Sequence, residues 1–166
     1  MNAQDIQKYL RLLGAELDLQ GITGEIILVG GAVMLLVIGS RQTTKDIDAY
    51  FASSPQQIRS AAQVIAKRER ISPNWLNDAV KGFFYTQPPI SLWLDVPGLR
   101  VFTADPAYVL AMKAAAGRPE DIGDIQALAA HLRLTSAQAV LSVVTRYVPA
   151  SQLTPRTEYL VQTLFP

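Results

Sequence analysis

Cysteine is absent from the 166 residues, and histidine occurs once, at His131. The first absence excludes disulfides, thiolate metal sites and cysteine nucleophiles. The second argues against histidine-rich metal centres and histidine-relay catalysis; near a helix end, His131 is assigned no chemistry. Charge is scarce as well. Asp, Glu, Lys and Arg make up 17% of the chain, and fifteen basic against fourteen acidic residues leave +1. No global field draws such a chain to nucleic acid or to an anionic membrane, so a nucleic-acid contact has to come from a local patch. The longest apolar run, Ile26 to Gly39, has 14 residues, short of the roughly 20 that span a bilayer. Asp5, Lys8, Arg11 and Glu16 interrupt the apolar residues near the start, a pattern of an amphipathic helix and not of an export signal. The expectation is a soluble, cytoplasmic protein with no membrane partner.

What is present is apolar material: 49% of the residues are hydrophobic. A chain of this length can bury about 69% of its unfolded surface, enough for a core without staples. Ile6, Leu10, Leu13 and Leu17 recur at helical spacing, and Gly21 and Gly24 stop that helix. Glu25 to Val29 reads as a core strand, Gly30-Gly31 as a turn into an apolar helix ending near Gly39, and Ile47 to Phe51 as a second strand. Ser54 and Pro55 open a helix to about Glu69. Ser72 to Lys81 reads as a short helix or turn, followed by strands near Phe83 to Thr86, at Ile90 to Val96 and at Arg100 to Thr103. From Asp105 onward the pattern is helical, with starts at Pro106, Pro119, Thr135 and Thr154-Pro155. The reading is one domain over 1–166. Its first part, about 1–98, mixes strands and helices, the remainder is mainly helical, and the Pro97-Gly98 turn lies between these two layers.

The segment from Gly30 to Asp48 carries the chemistry. Glycines without Cβ let backbone N–H groups approach a phosphate, and a helix start adds a favourable dipole. Residues two apart on a strand share a face, so Asp46 and Asp48 present two carboxylates together while Ile47 points inward. Two adjacent carboxylates repel unless a cation sits between them. The pair suits Mg²⁺, or Mn²⁺, which takes oxygen ligands and nucleotide phosphates. The plainer alternative is a tight turn followed by two solvated aspartates; the strand, turn and helix ahead of them and the Arg/Thr/Lys-rich loop beside them favour the site. In that loop, Thr43 and Thr44 offer hydroxyls to phosphate oxygens. Arg41 reads equally as a phosphate ligand and as a surface cation, and Lys45 points away from Asp46.

A glycine pair, a spacer and Asp-x-Asp on the next strand resemble the nucleotidyltransferase fold of the polymerase-β-like superfamily. Gly30-Gly31, Ser40 to Asp48, and then Lys113, Arg118, Asp121 and Asp124 are similar to the AbiEii-type nucleotidyltransferases. These include toxins of bacterial toxin–antitoxin systems. Trp75-Leu76-Asn77-Asp78 resembles a feature of a small uncharacterised branch of that group. The resemblance spans roughly residues 25 to 130. It implies an α+β fold, with a small mixed sheet flanked by helices and a helical C-terminal layer. It also implies an NTP substrate, an RNA acceptor such as tRNA, a growth-inhibiting role and a cognate antitoxin. It carries Lys113 over as a phosphate contact, with Asp121 or Asp124 as its partner.

Read from the residues alone, Lys113 on an apolar helix either snorkels to water or serves a site. Asp121 and Asp124 share a helix face, and Asp121 also suits a helix start, where Arg118 is an alternative partner. Enzymes of this fold often use a third acid, which also acts as general base. Asp95, on a strand face with Ser91 and Trp93, and Asp78, after Trp75-Leu76-Asn77, are both open candidates. The faces of that strand read as Ser91, Trp93 and Asp95 against Leu92, Leu94 and Val96. The competing function is a catalytically silent protein of the same fold that binds nucleotide or regulates. A phosphatase using Asp-x-Asp ranks low, because Thr43-Thr44-Lys45 precedes the aspartates where an apolar strand is needed. A Rossmann site ranks lower, because no third glycine follows Gly30-Gly31 at the required spacing.

Overall fold

A computed structural model describes residues 1–78 and 85–166. The described residues form two compact units, one of 1–78 with 90–104 and one of 85–89 with 105–166. The first is a mixed five-stranded sheet with helices. Its strands are β1 (Gly24–Leu28), β2 (Ile47–Ser53), β3 (Leu76–Asn77), β4 (Ile90–Val96) and β5 (Leu99–Ala104), in the order β3-β2-β1-β5-β4. β1 runs antiparallel to β2 and parallel to β5, β4 antiparallel to β5, and β3 parallel to β2. The Pro97-Gly98 turn joins β4 to β5 inside this sheet, so the helical unit starts at Asp105 and not at that turn.

α1 (Ala3–Asp18) starts at a capping box in which Asn2 and Asp5 satisfy each other's backbone N–H. Its Ile6, Leu10, Leu13 and Leu17 are fully buried, each worth about 1.5–3 kcal/mol of apolar burial. They join one core with Ile58, Ala61, Ala62 and Ile65 of α3 (Pro55–Glu69) and with the inward residues of the sheet: Ile26, Leu28, Ile47, Ala49, Phe51, Leu99 and Val101. Two glycines seat α1 on the β4–β5 turn. A Cβ on Gly14 would meet the Pro97 carbonyl at 2.9 Å, and one on Gly98 (φ +83°) would run into the Gly14 carbonyl and the Asp18 N–H.

Gly30 begins a short helix, α2 (Gly30–Val33), which widens into a π-helical turn over Met34–Ile38 and ends at Gly39 with φ 72°. Two local expectations need correction. Ser54 precedes α3 in the left-handed region (φ 53°), and its side chain makes no cap bond; Pro55 alone sets that start. In β4, Leu92 pairs with Phe102 and Leu94 with Val101, so Trp93 is an extra residue and the alternation breaks. Leu94 is buried, Leu92 is 56% exposed, and Trp93 packs against the core instead of sharing a polar face with Ser91 and Asp95.

The second unit holds α4 (Pro106–Ala116), α5 (Ile122–His131), α6 (Ala137–Tyr147) and α7 (Pro155–Leu164), with a 3₁₀ turn at Pro119–Asp121. Tyr108, Leu110, Ala111, Ile125, Leu128, Val140, Val144 and Val161 are buried within it. Ser136 and not Thr135 caps α6, while Thr154 caps α7 as its sequence suggests. Arg156 donates to the Gly117 carbonyl at 3.0 Å, holding the end of α4. The first half of the strand expected near Phe83 to Thr86 lies outside the described residues, and Tyr85 and Thr86 form a bend. Among the described residues, no helix is long and apolar enough to cross a membrane.

Candidate functional site

The site is built where β1 ends and β2 begins. The Val29 N–H donates to the Asp48 carbonyl at 3.0 Å, and the Ile47 N–H donates to the Trp75 carbonyl at 2.8 Å. The turn before α2 and the start of β2 are therefore tied together. Ile47, Ala49 and Phe51 face the core, which puts Asp48 and Tyr50 on the opposite face of β2, both half-buried. Asp46 is half-buried too and lies in a bend one residue ahead of the strand.

The glycine pair meets this segment directly. Gly30 has φ +56°, which a side chain rarely adopts, and a Cβ there would stand 3.3 Å from Asp48 Oδ2. A Cβ on Gly31 would stand 2.8 Å from Thr44 Oγ1 and 3.6 Å from Arg41 Nη1. Gly30, Gly31, Arg41, Thr44 and Asp48 are thus brought together, with Asp46 two residues from both Thr44 and Asp48. Val29, just ahead of α2, supplies no side-chain cap to its N-terminal N–H groups.

The loop is anchored at Thr44. Its N–H donates to the Met1 carbonyl at 2.9 Å, its carbonyl accepts from the Met1 amino nitrogen at 2.7 Å, and its hydroxyl donates to the Asp46 carbonyl at 2.9 Å. Thr44 is 8% exposed while Gln42, Thr43 and Lys45 are exposed. Sequence reasoning missed the Met1 bridge, which is made by backbone atoms and has no side-chain signature.

The two candidates for a third acid part company. In the register, Asp48 pairs with Asn77, so Asp78 follows a residue on the neighbouring strand; its carboxylate is ion-paired with Arg59 of α3. Asp95 is exposed on β4, separated from β2 by β1 and β5. It stands opposite Arg100, which pairs with Glu25 at the start of β1, whereas Asp48 adjoins the end of β1. Strands lie about 4.8 Å apart, so three steps across the sheet alone separate Asp95 from β2 by about 14 Å.

Lys113, Asp121 and Asp124 form a cluster of their own in the helical unit. The Lys113 ammonium lies 2.5 Å from Asp121 and 2.8 Å from Asp124, and the three side chains are 12%, 12% and 7% exposed. Lys113 therefore neither snorkels to water nor leaves Asp121 to Arg118 alone.

Among the described residues, no group of three or more acidic or histidine side chains gathers to hold a metal ion. Asp46 and Asp48 are two carboxylates two residues apart, of the oxygen-donor chemistry that a hard divalent cation takes, and Gly30 leaves space beside Asp48 Oδ2. A family model described as "Nucleotidyltransferase of unknown function (DUF6036)" matches residues 5–145. No curated protein and no solved structure matches the chain.

Proposed function

The chain belongs to the DUF6036 family of nucleotidyltransferases of unknown function, and we propose that it uses Mg²⁺ or Mn²⁺ at Asp46 and Asp48 to move a nucleotidyl group from an NTP to an acceptor hydroxyl or phosphate. The observation that carries the reading is the meeting of Gly30, Asp48, Gly31, Arg41 and Thr44 at the start of α2. Asp46 and Asp48 hold the cation, which when bound supplies charge neutralisation to the triphosphate and orients it for in-line displacement. The backbone N–H groups at the start of α2 and the Arg41 guanidinium hold phosphate oxygens. An acceptor oxygen forms a bond to the α-phosphorus, the bond to the pyrophosphate oxygen breaks, and pyrophosphate leaves. A hydroxyl acceptor's proton passes to a carboxylate, for which Asp78 and Asp95 both stay open: Asp78 follows Asn77, the neighbour of Asp48, but is paired with Arg59, and Asp95 lies three strand steps from β2. The similarity to AbiEii-type proteins extends the proposal to an RNA acceptor such as tRNA, and to a growth-inhibiting role relieved by an antitoxin.

A second reading, a silent member that binds nucleotide without transfer, draws on the lack of a three-acid group among the described residues. The test is transfer of label from each α-³²P-NTP, with Mg²⁺, to bacterial RNA and to protein. The expected result is labelling by the parent chain and none by the Asp46→Asn/Asp48→Asn variant, whose melting temperature stays close to the parent's. Equal labelling by both overturns the site. Mg²⁺-dependent NTP binding without any labelling supports the silent reading.

A further inference from the structure

We propose that Thr44 is a positioning residue that aims the Asp46–Asp48 segment, and that Gly31 is a glycine to admit Thr44 and not to admit a phosphate. The proposal rests on the nucleotidyl-transfer reading for its catalytic meaning, but its structural content stands by itself.

Three groups of Thr44 make hydrogen bonds within the chain. Its N–H and carbonyl form the two-way bridge to Met1, and its hydroxyl proton goes to the Asp46 carbonyl. A threonine that binds phosphate has to give that same proton to the ligand. The bridge to Met1 leads into Asn2, whose reciprocal bonds with Asp5 fix the start of α1. Thr44 is thereby tied to a helix whose apolar face is fully buried. The bond from Thr44 to the Asp46 carbonyl spans two residues and fixes the backbone turn out of which the Asp46 side chain projects. The next donor, the Ile47 N–H, is held by Trp75. Asp46 therefore enters the strand from a segment clamped on both sides.

The space opened by Gly31 points the same way. A Cβ there would come within 2.8 Å of Thr44 Oγ1, closer than real Cβ contacts allow, so the hydroxyl occupies the volume that a side chain would need. Gly31 and Thr44 are complementary, and the effects of changing them are not independent.

The experiment is a double-mutant cycle on the full chain with Gly31→Ala, Thr44→Ala and the two combined, alongside Thr44→Ser. The first readout, without ligand, is hydrogen–deuterium exchange of peptides covering 40–48. Each single change is expected to speed exchange about five- to tenfold, as loss of one hydrogen bond predicts. In the Thr44→Ala background, adding Gly31→Ala is expected to change exchange by less than about twofold, because the methyl enters vacated space. Thr44→Ser, which keeps the hydroxyl, is expected to stay within about twofold of the parent. If Thr44→Ala lowers the melting temperature of the whole chain, Thr44→Val, which removes the donor and keeps the volume, replaces it as the test of the bond, and Gly31→Ala is then expected to keep its full penalty in that background. The second readout is affinity for a fluorescent NTP analogue with Mg²⁺, where the same non-additive pattern is expected. Unchanged exchange in Thr44→Ala, or a Gly31→Ala penalty on nucleotide affinity that is equal in both backgrounds, overturns the proposal. A parent chain that binds no nucleotide overturns the transfer reading instead, and the exchange cycle still decides the role of Thr44.

Discussion

Lys113 carries its charge between two nearly buried carboxylates. Breaking a buried ion pair by removing one partner costs about 3–5 kcal/mol, because the remaining charge loses its compensation. Lys113→Met is expected to lower stability by about that amount in urea titration, and Lys113→Met with Asp121→Asn and Asp124→Asn to recover most of it. A Lys113→Met chain of parental stability that loses triphosphate affinity more than monophosphate affinity would instead make Lys113 a phosphate contact. Tyr108 gives a pH prediction. It is 1% exposed, its hydroxyl donates to the Thr86 carbonyl at 3.2 Å, and burial pushes its pKa up to about 12. In the unfolded chain a tyrosine titrates near 10. The native state therefore holds its proton longer, so this contribution to stability is complete below about pH 10 and is lost as pH rises towards about 12. Tyr108→Phe is expected to show a shallower loss of stability over that window, with no tyrosinate signal near 295 nm from this position. At this scale the sequence was legible where a residue's type dictates its surroundings. Gly30 stands beside Asp48, and Gly31 beside Thr44 and Arg41, in the segment that the motif singles out. The partners of Thr44 were not legible, because Met1 reaches it through backbone atoms.

Elements were legible where a period or a breaker was strong. β1, β2, α1, α3 and α4 lie where apolar spacing and Pro or Gly punctuation put them, within a residue or two. β4 shows the limit. Its two faces follow from alternation only if every residue is paired, and the unpaired Trp93 shifts all that follows it. No local pattern announces such a bulge, because the partner strand decides where it falls. The turn after β4 is more exacting. Gly98 combines φ +83° with the backbone of α1 packed where its Cβ would be. Gly98→Ala is expected to destabilise by about 3 kcal/mol or more, the sum of left-handed strain and a clash with backbone that cannot rotate away. Gly39→Ala, left-handed but with nothing within 4 Å of the added Cβ, is the matched control, expected to cost about 1 kcal/mol. Equal losses in urea titration would show that the contact with α1 is not what matters.

Over the whole chain, a formal charge of +1 sets the expectation for nucleic acid. Non-specific affinity for single-stranded RNA is expected near 10⁻⁴ M at physiological salt, with a log–log salt slope shallower than about −2, by fluorescence anisotropy across a salt series. A micromolar affinity with a steep slope would reveal a basic patch that the net charge conceals. The strand order was not legible, because it depends on pairings between distant segments. The helical onset at Asp105 was, although the sequence puts the boundary at Pro97-Gly98, a turn that strand pairing keeps inside the sheet. One such pairing shapes how the chain is made. β1 is a central strand whose second neighbour, β5, is about 75 residues downstream, Gly24 meeting Leu99. At ~5–20 residues per second of synthesis, the Ile26-Ile27-Leu28 edge waits ~4–15 s for its partner after it has been made. During that interval α1 and β2 already exist to cover one face and one edge of β1. The other edge stays open to any strand that arrives first, so a ribosome stalled between β2 and β5 leaves a nascent chain prone to pair with its neighbours on the same message.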